Sequence, residues 1–225
     1  MGVNAQTAVP AFTAGQVLTA AQMTQVNTGI PVFADTTARD AAFGGAGEKV
    51  LAEGQYAYIE ASNATQYYDG SAWIGLGTTV AMFNETQTSG TNGGSSSAAW
   101  TKRTLNTTVV NEISGCSIAS SVITLGAGTY DIYATAPGYS AAEFKLKLRN
   151  TTAGTDAIIG SSERNGVGTG VGTVSIVQGR ITPTGSTNYE LQMYCVNAAA
   201  TVGFGVASGL GVSEIYAQIK IEKVA

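Results

Sequence analysis

FKLKLRN, residues 144–150, decides the fold. Phe144, Leu146 and Leu148 alternate with Lys145, Lys147 and Arg149, giving one apolar and one charged face. A helix would scatter those apolar residues around its circumference, whereas a strand lines them up on one side of a sheet. YELQMYC (189–195) repeats the pattern, with Tyr189, Leu191, Met193 and Cys195 sharing a face. EIYAQIKIEK (214–223) places Ile215, Ala217, Ile219 and Ile221 on one side. Further strands are predicted at 101–107, 116–125, 129–135, 156–161 and 174–182, parted by GAG (126–128), APG (136–138), TAG (152–154) and PTGST (183–187). About eight short strands at this spacing predict a β-sandwich over 100–225, two sheets each with one buried face.

Working outward, residues 84–99, NETQTSGTNGGSSSAA, carry no large apolar side chain and read as a flexible Gly/Ser/Thr-rich linker. Residues 1–83 before it read as a small α+β segment. At 18–29, LTAAQMTQVNTG, Thr19 and Gln22 have the spacing of a capping box, and Gly29 with Pro31 ends the helix. Leu18, Met23 and Val26 form its apolar side. A helix this short is unstable alone in water and needs a surface to bury that side. A second helix is predicted at TTARDAAFGG (36–45), with Thr37 as cap and Gly44 as stop. Residues 48–77 predict a three-stranded meander. In it Tyr56 and Tyr58 oppose Ala57 and Ile59, and Asp69-Gly70 makes a two-residue turn.

The 225-residue chain has 12% charged residues and a formal net charge of −4, which excludes the basic field of a nucleic-acid binder. So little charge predicts that sister chains cover part of the surface. The N-terminus lacks the pattern of a signal peptide, and no apolar run is long enough to span a bilayer. Cys116 and Cys195 both fall in strand-like runs and read as buried free thiols, with a disulfide as the alternative.

Histidine is absent, which removes Ser-His-Asp and Cys-His catalysis and His-based zinc sites. The carboxylates are scattered, and Asp131, Glu190 and Glu222 read as solvated sheet positions. NGVGTGVGTV (165–174) runs into strand-like residues rather than a helix, so it reads as a loop and not a phosphate cradle. The expectation is a non-enzymatic protein with no cofactor and no metal. Tyr67, Tyr68 and Trp73 around the predicted hairpin suit an inter-chain interface or small core, with a carbohydrate platform as the weaker alternative.

FTAGQVLTAAQMTQVNTGI, PVFADTTARDAAFG and QYYDGSAWIGLG together resemble N-terminal regions of structural proteins from tailed bacteriophages. The body, with WTKRTLNT, GAGTYDIYATAPGY and the closing GVSEIYAQIKIEKV, resembles the jelly-roll domain of the C1q and tumour-necrosis-factor type. The resemblance implies a homotrimer on the virion surface whose N-terminal segment docks while the jelly roll points outward. It suggests a capsid decoration or head-fibre protein bound to the major capsid protein. The alternative is a tail or baseplate fibre whose jelly roll binds a host surface glycan. Phe12, Leu18, Met23, Val26 and Phe33 are the anchor residues expected to be buried on docking. No nucleic-acid or membrane partner is implied.

Overall fold

The computed structural model describes residues 9, 11–20, 22–23, 29–45 and 49–224. The chain is mainly β and divides into two units, residues 1–78 and 79–225.

In the first unit, strand β1 (Val32–Phe33) lies parallel to β2 (Tyr56–Ile59). The chain continues antiparallel into β3 (Ala64–Tyr68) and β4 (Trp73–Gly75). Helix α1 (Thr36–Ala41) follows β1. Its cap is Asp35 rather than Thr37: the Ala38 amide donates to Asp35 Oδ1 at 2.8 Å. A carboxylate at that end also faces the positive pole of the helix dipole. The predicted meander is present, with Ala57 and Ile59 buried and Tyr56 on the opposite face. The turn, however, spans four residues, because Tyr68 pairs with Trp73. Asp69 holds it by accepting from the Ser71 amide and hydroxyl and the Ala72 amide, at 2.7–2.8 Å. These bonds, that from Ala72 foremost, lower the Asp69 carboxyl below its ordinary range.

The second unit is a sandwich of antiparallel sheets. One sheet has the order β13-β10-β15-β5-β7: Gly172–Ile181, Tyr130–Tyr139, Glu214–Lys223, Thr79–Gln87 and Thr107–Asn111. The other runs β12-β11-β14-β9-β8: Thr155–Arg164, Glu143–Asn150, Thr187–Cys195, Val122–Leu125 and Ser117–Ala119. Short β6 (Thr101–Lys102) also pairs with β14. From β10 onward the chain crosses between sheets repeatedly, as a jelly roll does. Phe144, Leu146 and Leu148 face Leu191, Met193 and Cys195 along the inner side, as their alternation predicts. Both cysteines are buried free thiols.

Several boundaries differ from the sequence reading. The residues read as one strand at 116–125 form a hairpin, β8–β9, turned by Ser120 and Ser121 at positive φ. APG (136–138) lies inside β10. Ile215 is not on the inner face: a bulge in β15 between Ile215 and Gln218 shifts the phase, exposing Ile215 and burying both Tyr216 and Ala217.

The linker assignment also fails. Residues 79–87 are β5, a strand within the sheet. Residues 88–99 are pinned along 199–205: Gly93 donates to Gly205 at 2.9 Å, Gly94 to Thr201 at 3.2 Å and Ser96 to Ala199 at 3.1 Å. A Cβ at Gly93 would lie 2.5 Å from the Phe204 carbonyl oxygen. The residues here are small because two backbones touch, not because the chain is loose.

Candidate functional site

The N-terminal turn forms as its capping box predicts. The Gln22 amide donates to Thr19 Oγ1 at 3.2 Å, the Thr19 amide to Gln22 Oε1 at 3.0 Å, and the Met23 amide to the Thr19 carbonyl at 3.0 Å. Two donors that a helix start leaves orphaned are thereby satisfied reciprocally. Phe12, Leu18 and Met23 are exposed, at 43%, 39% and 45%. Val26 lies outside the described residues. Phe33 differs from expectation: it is fully buried in its own unit with Val9, Ala42, Ala57 and Ile59, so its side chain has no face left for docking. Its place on β1, beside Ile59 of β2, puts it inward.

The hairpin aromatics belong largely to the same small core. Trp73 stacks obliquely on Phe43 at 5.9 Å and Tyr68 at 5.7 Å, with the Arg39 guanidinium 4.7 Å from its ring centroid. Tyr67 instead pairs with Tyr56 across the strands at 6.3 Å. Tyr67, Tyr68 and Trp73 thus divide between two clusters and form no common platform.

The sandwich contains an ion pair that the sequence reading missed. Arg103 Nε and Nη2 both donate to Glu85 Oε2, at 2.9 and 2.7 Å, with both side chains almost wholly buried. Arg103 also donates to the Phe204 carbonyl at 3.0 Å and lies over the Phe204 ring at 4.1 Å. Glu85 accepts from the Ala217 amide, at the bulge where the ladder leaves a donor spare. Burial outweighs pairing for both groups, pushing the Glu85 carboxyl up and the Arg103 guanidinium down. Glu85, Arg103 and Phe204 tie β5, the 103 segment and the 199–205 loop into one knot. The pair is closed off from solvent, so it acts on stability rather than on a ligand.

Three surfaces among the described residues bear on function. A trough on the outer face of the five-stranded sheet is lined by Tyr133, Gln178 and two ion pairs, Arg180–Asp131 at 2.7 Å and Lys220–Glu222 at 3.0 Å. Asp131 and Glu222 are therefore at the surface as expected but paired, and Glu190 lies 3.5 Å from Lys102. Farther along the same face, a groove of about 730 Å³ is lined by Pro137, Tyr139, Val174, Val206 and Ile215 among others. Beside it Glu214 accepts from the Gly90, Ser208 and Gly209 amides and from Ser208 Oγ, at 2.9–3.1 Å. Those bonds, Gly209 first, hold its carboxyl down to about 2.

The third surface lies on the six-stranded sheet. Trp100 and Tyr194 meet edge to face at 5.7 Å above a groove of about 450 Å³. Lys147 Nζ, paired with Asp156 at 2.8 Å, sits 4.0 Å from the Trp100 ring centroid. Burial of Lys147 contradicts its outward assignment only in part: it points to the outer face, and Trp100 covers it. Two signals in the sequence marked this site: Tyr194 on the polar side of YELQMYC, and a tryptophan closing the small-residue stretch.

Among the described residues no group of three or more His, Cys, Asp and Glu could hold a metal ion. No described helix is long and apolar enough to cross a membrane.

No family model matches the chain, and no curated protein does. Solved structures similar to it include the globular domain of zebrafish complement 1qA protein, at 13% identity and TM-score 0.43 over 66% of this chain and 96% of that one. Murine APRIL is similar at 8% identity and TM-score 0.43, over 66% of this chain and all of that one. The PRD1 vertex protein P5 is similar at 15% identity and TM-score 0.45, over 65% and 97%.

Proposed function

We propose that this chain is a non-enzymatic structural protein of a phage virion, a homotrimer fixed to the particle by its N-terminal segment. The capped turn carries this reading: it holds Leu18 and Met23 exposed on a preformed backbone, with Phe12 nearby. Each large apolar side chain buried on docking contributes about 1.5–3 kcal/mol. Two or three such anchors per chain, repeated in a trimer, give tight attachment through effective concentration. The low charge of the chain and the exposed Val174, Ile176 and Ile215 on the five-stranded sheet supply apolar area for packing sister chains. The resemblance of the N-terminal motifs to phage structural proteins supports the virion as location.

Within that reading, the capsid is the favoured dock, with the major capsid protein as partner and the sandwich displayed outside. A decoration protein that binds only the assembled shell stabilises it by mass action. The second reading, a tail or baseplate fibre, differs in copy number, hundreds against a handful, and mass-spectrometric counting per particle separates them.

The anchor is tested with the full-length chain bearing Leu18→Asp and Met23→Asp together. The doubly substituted protein should keep its sandwich and its trimer in sedimentation equilibrium, yet fail to co-sediment with particles from the same genome. Co-sedimentation equal to the parent would overturn the anchor assignment.

A further inference from the structure

We infer that the Trp100 groove is a saccharide-binding site, with Trp100 as its stacking surface. The inference does not depend on how the chain is attached to a particle. Trp100 is 40% exposed, although one ring face is covered by the Lys147 ammonium and Tyr194 lies against the ring at 5.7 Å. The exposure therefore falls mainly on the opposite face, which looks away from the sheet. The ring is held before any ligand arrives: Lys147 and Tyr194 pin it, and the Ser97 and Thr101 hydroxyls, 2.7 Å apart, fix the backbone on either side. A pre-ordered aromatic loses little entropy on binding.

The rest of the lining selects the class of ligand. Three of the nine lining residues, Glu143, Lys145 and Arg164, turn a charged side chain to this face. The buried centre of a protein–protein contact is depleted of charge, so this composition argues against a protein occupant. The groove beside Val174 and Ile215 on the other sheet has a single charged lining residue, Glu214. A small polar ligand with one flat apolar face fits instead. A pyranose ring has that form, with C–H bonds on its faces and hydroxyls around its rim. Vicinal hydroxyls need donors and acceptors side by side. Glu143 and Arg164 face each other across the β11–β12 ladder with their charges 3.2 Å apart, and Lys145 sits opposite Ser162 in the same ladder. Glu163, opposite Phe144 in that ladder, turns its carboxylate to the other face of the sheet, where Oε1 accepts from Ser161 Oγ. Lys145 makes no ion pair among the described residues. At about 450 Å³ the groove is in the range of small-molecule sites. The ammonium beneath the indole also opposes a cationic ligand on the far face, since it draws on the same ring density.

The test titrates the full-length chain with maltohexaose, cellohexaose, chitohexaose and oligogalacturonate, by calorimetry and saturation-transfer NMR. At least one should bind, with saturation transferred to ring C–H protons. Trp100→Ala should weaken that binding ~10-fold or more, and Trp100→Tyr should retain most of it. Val196→Arg, which fills the exposed end of the groove without touching Lys147, should abolish it. The Leu18→Asp/Met23→Asp chain should bind as the parent does, which keeps a failure of the anchor distinct from a failure here. The inference is overturned if none of the four probes binds, or if Trp100→Ala and Val196→Arg both bind as the parent does.

Discussion

The two units solve the same problem by unequal means. The sandwich buries aliphatic side chains from both sheets against each other and closes its end with a buried ion pair. In the first unit the buried core among the described residues is Val9, Phe33, Ala42, Ala57 and Ile59, flanked by Phe43 and Trp73. A core of that size stabilises a fold weakly, because small structures bury a small share of their surface. The larger unit can tolerate buried charge and exposed grooves. The smaller one leaves less margin for such features. One tryptophan lies in each, Trp73 in the first and Trp100 in the second, so Trp73→Phe and Trp100→Phe chains report the melting of each unit separately.

The largest expected effect is Arg103→Leu. It leaves the Glu85 carboxylate buried without its partner, and losing one member of a buried pair costs roughly 3–5 kcal/mol. Urea unfolding followed through Trp100 should shift by that amount, while the Trp73 transition stays in place. Both cysteines are additional reporters for the sandwich: burial raises each thiol to about 11, so they stay unlabelled until it unfolds. Should Arg103→Leu move the Trp73 transition equally, the two units unfold as one and the comparison fails.

Next comes Gly93→Ala. The added methyl would meet the Phe204 carbonyl oxygen at 2.5 Å, a backbone atom that cannot rotate aside. Overpacking of this kind costs about 1–3 kcal/mol. A flexible linker would not register the change, so a Trp100 transition identical to the parent would restore the linker reading.

Gly93 also shows where the sequence stops being legible. Alternation at 144–150 and 189–195 gave the sandwich and its inner face, because a period of two is a direct image of burial. Composition at 84–99 misled, since Gly and Ser serve both loose chain and close backbone contact, and the difference lies in residues 199–205, about a hundred positions away. The Ile215 assignment failed through a bulge, which alternation cannot register. Phe33 and Phe12 are the same residue type in the same segment; only the pairing of β1 with β2 separates a core residue from an exposed one. The Glu85–Arg103 pair was hidden because each looks like an ordinary surface charge until β5 and the segment after β6 are in place. The capping box was legible in full, being local in sequence.

The smallest effect separates the units by acid. Each has a carboxylate held below its ordinary range by backbone amides, Asp69 in a turn of the first and Glu214 at the start of β15 in the second. Asp69 binds residues two and three positions on, so it orders only its own turn. Glu214 binds Gly90 as well as Ser208 and Gly209, and so joins segments more than a hundred residues apart. For a carboxylate whose folded pKa is depressed, the stabilisation is present above the unfolded value and is lost as pH falls through the folded one. For Glu214 that window runs from its ordinary 4.5 down to about 2. Acidification through it should lower the Trp100 melting temperature more in the parent than in Glu214→Gln, whose amide cannot gain a proton there. Asp69→Asn should leave the acid response of the Trp100 transition as it is in the parent, since its bonds close no long-range loop. Equal acid slopes for the parent and Glu214→Gln would mean that the loop is fixed by its neighbours, such as Tyr216 donating to the Thr91 carbonyl at 2.8 Å, and that the carboxylate only follows.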